Sequence, residues 1–477
     1  MKNRQPTDGA NPSRRQFIQR CGVLGGIGLT GGWPVERTNG PQRILPVAKQ
    51  IRVQHTSSNF EREPLIRPFG FKGGYLTDLW QTAARLQSES GLNRVGICTQ
   101  NVLYADAAVF ESYSEAAGNA LMYALTDFAL KRVSETPFTS PVELLEQILP
   151  AVYEAGKKLT GRSELNKIFA LNALIGVDNA AWLLYAAENK LPNFDGMVPA
   201  AYKPALSHHN AKVAIVYMVS YGLPIEAIKK AAADGYFVIK LKIGQPGTQA
   251  EMLSKDKARL TQVHQEIQNA HTQQTTNGKL IYSLDANGRY EKKETLLQLL
   301  DHARKIGAFD QIQFIEEPLI ETNEEHVADV GIRIAADESV HDEAGALRRL
   351  EQGYQAIVLK GIAKTLSLSM KVAQLAHERG IPCLCADLTV NPILVDWHKN
   401  LAARLAPFPG IGMGLLETNG DVNYRNWRTM QTYHPTNGAP WTEAKNGVFE
   451  LGADFYARSG GILEPSDHYE ALFSHEK

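Results

Sequence analysis

Cysteine is scarce in this chain. Four occur in 477 residues, Cys21, Cys98, Cys383 and Cys385, and their spacing offers neither a disulfide framework nor a zinc constellation. Cys383 and Cys385, two apart in a strand-like stretch, read as small buried side chains. Net charge is almost absent too. Fifty basic residues against 51 acidic ones leave a balance of -1, so no long-range field draws the protein to nucleic acid or to an anionic membrane. No apolar stretch approaches the roughly 20 residues that a membrane helix needs. The expected partner is therefore a small molecule, with no nucleic acid and no membrane span.

What is present is the balance of a globular protein, 44% hydrophobic and 21% charged, able to bury large cores. The N-terminus reads as an address. Ser13-Arg14-Arg15-Gln16-Phe17-Ile18 precedes a Gly-rich apolar run from Cys21 to Trp33, a basic region followed by an apolar segment too short to span a bilayer. It resembles a twin-arginine export signal over residues 1–40, which implies an exported, periplasmic protein. Residues 41–53 look like a linker rich in Pro, Gly, Asn and Arg.

From 54 to about 205 the pattern is mainly helical, with apolar residues at helical spacing over Leu76–Glu89, Glu111–Val133 and Pro141–Thr160. This predicts a first domain of α+β type. Near residue 206 the rhythm changes to strands alternating with helices. Strands are expected over 211–220, Phe237–Ile243, Leu280–Asp285, Gln311–Glu316, Ile332–Ala336, Ala356–Lys360, Pro382–Cys385 and Ile411–Leu416. Helices are expected over Pro224–Ala233, Ala250–Ala270, Lys293–Ile306, Asn323–Val330, Ala344–Gln352 and Leu366–Glu378. About eight β/α units in one run argue for a closed parallel barrel over 206–420. Residues 421–477 form an extension that packs on the first domain or on the barrel.

The placing of charge is the informative feature. Asp285, Glu316 and Asp337 each close an apolar run, at the C-terminal end of an expected strand, and in a parallel barrel those ends converge on one face. Three carboxylates brought together are costly unless a hard divalent cation such as Mg²⁺ takes their oxygens. Lys240 and Lys242 lie at i and i+2 of one strand, so they share a face about 7 Å apart. Their mutual repulsion predicts a depressed pKa and a usable base. Lys360 ends a strand on the far side by strand count, where it suits return of a proton to the opposite face of a carbon. Glu317, Glu321 and Glu338 read as supporting or surface charges, and His208, His209 and His398 as loop or surface residues.

KLKIG, SLDANGRY, FIEEPL and AADES, over roughly residues 55 to 420, together resemble the enolase superfamily, in its muconate-lactonizing, dipeptide-epimerase and mandelate-racemase-like branch. That resemblance implies an α/β fold, a (β/α) TIM-type barrel with an N-terminal α+β capping domain. It implies one Mg²⁺ on Asp285, Glu316 and Asp337, with Lys242 as base, Lys240 as its pKa-setting neighbour and Lys360 as the acid or base opposite. Asn287 and Glu338 would support the site. The cap would close over the substrate through the Gly-rich loop Arg67 to Gly74, whose Arg67 and Lys72 suit an anionic substrate. Barrels of this family often assemble, so a homo-oligomer is implied as well.

Two departures bear on the substrate. The branch usually carries K-x-x-K-x-G-G after the opposite strand, whereas Lys360 and Lys364 stand one residue further apart here without the glycine pair. This leaves Lys360 and Lys364 both open, with the strand end favouring Lys360. Dipeptide epimerases grip the substrate ammonium with Asp-x-Asp near the last strand, and the matching place here is Glu417-Thr418-Asn419; Asp387 stands on the strand before. The expected activity is α-proton abstraction from a carboxylate substrate, a dipeptide or amino-acid derivative, by a racemase or epimerase working through an enediolate. The alternatives are a dehydratase or cycloisomerase on an acid substrate, and a non-catalytic periplasmic binding protein.

Overall fold

The computed structural model describes residues 49–474. The twin-arginine segment and residues 41–48 of the expected linker lie outside the described residues. Ile51, within that linker, is buried and pairs with Phe138, so the ordered fold starts before Val53.

The N-terminal domain is a three-stranded antiparallel sheet covered by helices. Its order is β1 (Val53–Phe71), β2 (Gly74–Ser88), β3 (Asn93–Gln100). The helix expected over Leu76–Glu89 is strand β2. Leu79 to Ala84 are all buried, because β2 is the middle strand and is covered on both faces. Such a strand loses the alternation that would have marked it. The Arg67 to Gly74 segment, expected as a flexible loop, is instead the tip of a tight hairpin. Phe71 pairs with Gly74, leaving a two-residue turn in which Lys72 and Gly73 both have positive φ, 49° and 81°, the backbone that such turns require. The helix expected over Glu111–Val133 is broken in two, Ala107–Tyr113 and Glu115–Ser134, at Ser114 with φ 76°. Pro141–Thr160 is helical as anticipated, opened by Ser140 as cap and Pro141 in the first turn.

Eight parallel strands close the barrel: β4 (Lys212–Val219), β5 (Val238–Lys242), β6 (Ile281–Asp285), β7 (Ile312–Glu316), β8 (Arg333–Ala336), β9 (Ala356–Leu359), β10 (Cys383–Cys385) and β11 (Gly414–Glu417). β11 pairs back onto β4, from Gly414 opposite Val213 to Glu417 opposite Val216, which completes the ring. Their apolar runs are buried on both faces, by the barrel interior and by the outer helices.

One expected helix is missing and one was unforeseen. Residues 321–331 contain no helix. Their acidic side chains have no apolar face to bury, and only Val327 and Val330 reach the core. Between β10 and β11 runs the helix Pro392–Arg404, capped by Asn391 and buried along its whole length, so no polar stripe announced it. After β11 the chain returns to the start of the barrel. β12 (Ala444–Lys445) and β13 (Val448–Glu450) form a hairpin, and β13 pairs antiparallel with the start of β4. The same extension touches the N-terminal sheet, through Asn59 Nδ2 donating to the Leu472 carbonyl and His468 lying 2.9 Å from Glu61.

Candidate active site

Register, more than any single residue, builds the site. Lys242 on β5 pairs with Asp285 on β6, and Asp285 with Glu316 on β7, so three charged side chains stand at one height on adjacent strands. Asp337 follows Ala336 at the end of β8. Lys360 follows Leu359 at the end of β9. Counting round the ring, β5 and β9 are four strands apart and therefore opposite in an eight-stranded barrel. The strands carrying the three acids fill the arc between them. β10, β11 and β4 supply the other arc, with Asp387, Glu417 and Met218.

Every one of these charges is buried: Lys240, Lys242, Asp285, Glu316, Asp337, Lys360 and Lys364 are all at most 6% exposed. The lysines and acids share one another. Lys240 Nζ lies 2.8 Å from Asp285 Oδ2, 2.9 Å from Glu316 and 2.7 Å from Glu417. Lys242 Nζ lies 2.5 Å from the same Asp285 oxygen and donates to Asn287 Oδ1 at 3.0 Å. Asp337 takes Lys360 at 2.6 Å on one oxygen and Lys364 at 3.0 Å on the other. Asn287 in turn donates to Glu338 Oε1 at 2.8 Å.

These contacts decide the protonation states. Burial alone would push Asp285 and Asp337 up, but two ammonium groups each outweigh it and hold both below the usual carboxylate range. Glu316 has only Lys240 in contact. Burial, with the charges of Asp285 and Asp337, carries Glu316 well above that range. The depressed pKa expected of the lysine pair is not found at Lys240. Burial does pull it down, yet Asp285, Glu316 and Glu417 together raise it well above the ordinary lysine value. Repulsion from Lys242 loses because three carboxylates stand closer. Lys360 is raised in the same way, chiefly by Asp337 working against burial.

The donor set fits a hard divalent cation. All the candidate ligands are carboxylate oxygens, the kind that Mg²⁺ prefers. Burial, with the two acids that would share the cation, raises the Glu316 carboxyl above its ordinary range, and the buried Glu338 Oε2 has no hydrogen-bond partner. As the side chains stand, no group of three His, Cys, Asp or Glu residues among the described residues closes on one point. The ammonium groups occupy the carboxylate oxygens instead.

Other expected residues fall into place or out of it. Asp387 lines the mouth and accepts hydrogen bonds only from backbone, at Leu388, Val390 and Asn419; burial and Glu417 push it up to about 7. Asn419 Nδ2 sits 3.5 Å from Glu417. Lys72 reaches in, with its Nζ donating to the Tyr104 carbonyl at 2.8 Å, and burial lowers its pKa. Arg67 does not reach the mouth. It lies on β1 before the hairpin tip, and its charge is felt at Tyr217, near Asp421. The bulge in β1 between Pro64 and Phe69 separates its direction from that of the tip. Glu317 is no surface charge: it accepts from the Asp337 backbone N–H at 2.6 Å and from Ser339 Oγ at 3.0 Å, and so holds the third acid's loop. His398, expected at the surface, is buried, and burial pulls it down to about 3.

Sequence reasoning missed the cap's aromatic contribution. Phe69, Phe71 and Tyr104 line the mouth with Met218 and Leu388, around a space of only about 20 Å³. That is room for about one water. Nothing in the local sequence marks these rings, because only the docking of one domain on the other brings them there.

Residues 225–410 match the family model described as enolase C-terminal domain-like. That stretch, the greater part of the barrel, carries an enolase C-terminal domain-like domain. No curated protein sequence matches the chain, and the solved relatives are distant. A dipeptide epimerase from Enterococcus faecalis, complexed with Mg and L-Leu-L-Tyr, is 16% identical over 84% of this chain and 97% of its own, with a TM-score of 0.59. The L-Ala-D/L-Glu epimerase from Bacillus subtilis is 14% identical over 84% and 96%, at 0.57. An N-succinyl Arg/Lys racemase from Bacillus cereus is 14% identical over 79% and 89%, at 0.54. At these identities the likeness concerns the fold: a closed eight-stranded barrel under an N-terminal capping domain.

Proposed function

We propose that the chain is a Mg²⁺-dependent racemase or epimerase that removes and returns the α-proton of a carboxylate substrate, of the dipeptide or N-acyl amino acid class. The observation that carries this reading is the pair of buried amines, Lys242 and Lys360, on strands four apart with the three acids in the arc between. A cation held by Asp285, Glu316 and Asp337 would neutralise the substrate carboxylate and the charge that develops as its α-carbon loses a proton. Lys242 takes the proton from one face and Lys360 delivers one to the other, so the enediolate is captured with inverted configuration. Asn287 holds Lys242 and is itself held by Glu338. Lys240 offsets the charge of Asp285, Glu316 and Glu417 from below. On the far arc, Asp387 and Glu417 have carboxylate oxygens suited to a substrate ammonium, with Asn419 between them.

The relatives that bind Mg with dipeptides support the substrate class. The test is incubation with Mg²⁺ in D₂O against pools of dipeptides, N-acyl amino acids and sugar acids, read by mass spectrometry. Deuterium at an α-carbon with inversion is the expected result. Loss of water or ring closure without exchange would move the protein to the lyase reading, and tight Mg²⁺ binding with no reaction at all would make it a binding protein. In the same proposal, the Arg14-Arg15 segment exports the folded enzyme. Changing both to lysine should leave it in the cytoplasmic fraction, and unchanged export would remove that part.

A further inference from the structure

Each of the two opposed amines rests on an aromatic ring, and both rings come from the cap. The Lys242 ammonium lies 5.6 Å from the ring centre of Phe71, the last residue of β1. The Lys360 ammonium lies 4.1 Å from that of Tyr104, on the short helix Val102–Ala105 that follows β3. The rings are not independent. Lys72, in the hairpin turn next to Phe71, donates to the Tyr104 carbonyl at 2.8 Å. Asn101 caps the Tyr104 helix by accepting from the Tyr104 N–H at 3.0 Å, and its own N–H is held by Asn172. Tyr104 also has a polar handle that Phe71 lacks, since its hydroxyl donates to Asp337 Oδ1 at 3.2 Å.

A lysine amine sits on four flexible carbons and gains a defined position only from what surrounds its tip. An aromatic face attracts an ammonium through its quadrupole, most strongly where water is excluded. It does so without presenting a hydrogen-bond acceptor that would take the proton meant for substrate. We propose that Phe71 and Tyr104 are positioning residues, each aiming one of the two amines at the reacting carbon, so that closing the cap sets both faces of the site together. The inference rests on the two-amine reading given above, and extends it by giving the cap, beside the barrel residues that hold the amines, a share in aiming them.

The test uses the full-length protein with ε-¹³C-lysine, and the Lys242 and Lys360 signals assigned from Lys242→Arg and Lys360→Arg. Ring currents should shift both ε-methylene proton signals upfield. Tyr104→Leu should return the Lys360 signal to its ordinary position and leave that of Lys242, Phe71→Leu should do the reverse, and Tyr104→Phe should keep both. With the Mg²⁺-loaded protein and each stereoisomer of a dipeptide that exchanges in D₂O, Tyr104→Leu should slow exchange on the Lys360 face about tenfold and the other face less than about twofold. Phe71→Leu should show the mirror pattern. Ordinary lysine shifts in the parent protein, or equal losses on both faces, would overturn the proposal. If Lys242→Arg and Lys360→Arg themselves show no preference for a face, the two-amine reading fails, while the methylene shifts still decide whether the cap holds the amines.

Discussion

At the barrel mouth several lysines and acids share one another, whereas on the outer helix Pro392–Arg404 one aspartate takes one lysine and one histidine. Asp396 receives Lys399 at 2.5 Å on one oxygen and stands 3.0 Å from His434 on the other. Lys399 also donates to the Trp441 carbonyl and lies 3.9 Å from the Phe449 ring centre. This second cluster lines a roomier cavity, about 460 Å³, under the C-terminal extension. Volume alone would favour it over the barrel mouth. Its ions, however, are satisfied among themselves, and three of its contacts, His434, Trp441 and Phe449, belong to the extension. Burial pushes Asp396 up, yet Lys399 and His434 outweigh it; burial wins at Lys399, which has one carboxylate against the two donors of Asp396. A cluster balanced pair by pair ties elements together. One in which like charges sit side by side and partners are shared stores the readiness to exchange a partner for a cation or a proton.

Substitutions can break that comparison. The largest effect should come from the mouth: Lys242→Ala and Lys360→Ala should each lower inversion by on the order of 10³-fold, within the range for loss of a proton-transfer group, with the unfolding midpoint nearly unchanged. Progress curves in D₂O measure the first and urea titration the second. Next, Asp396→Ala should leave Lys399 buried without a counter-charge and cost about 3–5 kcal/mol of stability, with exchange per folded molecule unaltered. A matching loss of exchange would erase the distinction between the two clusters.

The smallest effect concerns the joint between cap and barrel. Asp178, on the cap helix Ile175–Glu188, accepts from Ser367 Oγ and from the backbone N–H groups of Leu366 and Ser367 at the start of the barrel helix Leu366–Glu378. Burial pushes this carboxyl up to about 7 against those hydrogen bonds. The folded protein thus keeps a proton that the unfolded chain releases near pH 4, and stability from this group falls as pH rises from about 4 to about 7. Asp178→Asn should flatten the slope by at most about 1.4 kcal/mol per pH unit, read from urea midpoints at about pH 5 and about pH 7. An unaltered slope would mean that the joint does not titrate in that window.

The barrel was legible because its strands end in charges. Asp285, Glu316 and Lys360 each follow a short apolar run, and a parallel barrel gathers strand ends whatever the helices between them do. Helix 392–404 was illegible for the opposite reason, being buried all round, although Asn391-Pro392 carries a start signal. β2 misled because a central strand packed on both faces shows no alternation, and chance placed its apolar residues at helical spacing. Arg67 and Lys72 looked equivalent in the chain, yet a bulge and a two-residue turn send only Lys72 inward.

The amino-acid order by itself determined which charged residues meet at the barrel mouth, since carboxylates and lysines at the ends of apolar runs are costly anywhere but at a shared site. Only the tertiary structure decided how those charges are paired, which lysine rises and which acid resists ionisation, because those outcomes depend on distances of a few ångströms between strands far apart in the chain. It alone decided that aromatic rings of the capping domain lie against both amines, for no local pattern records which surface another domain will cover.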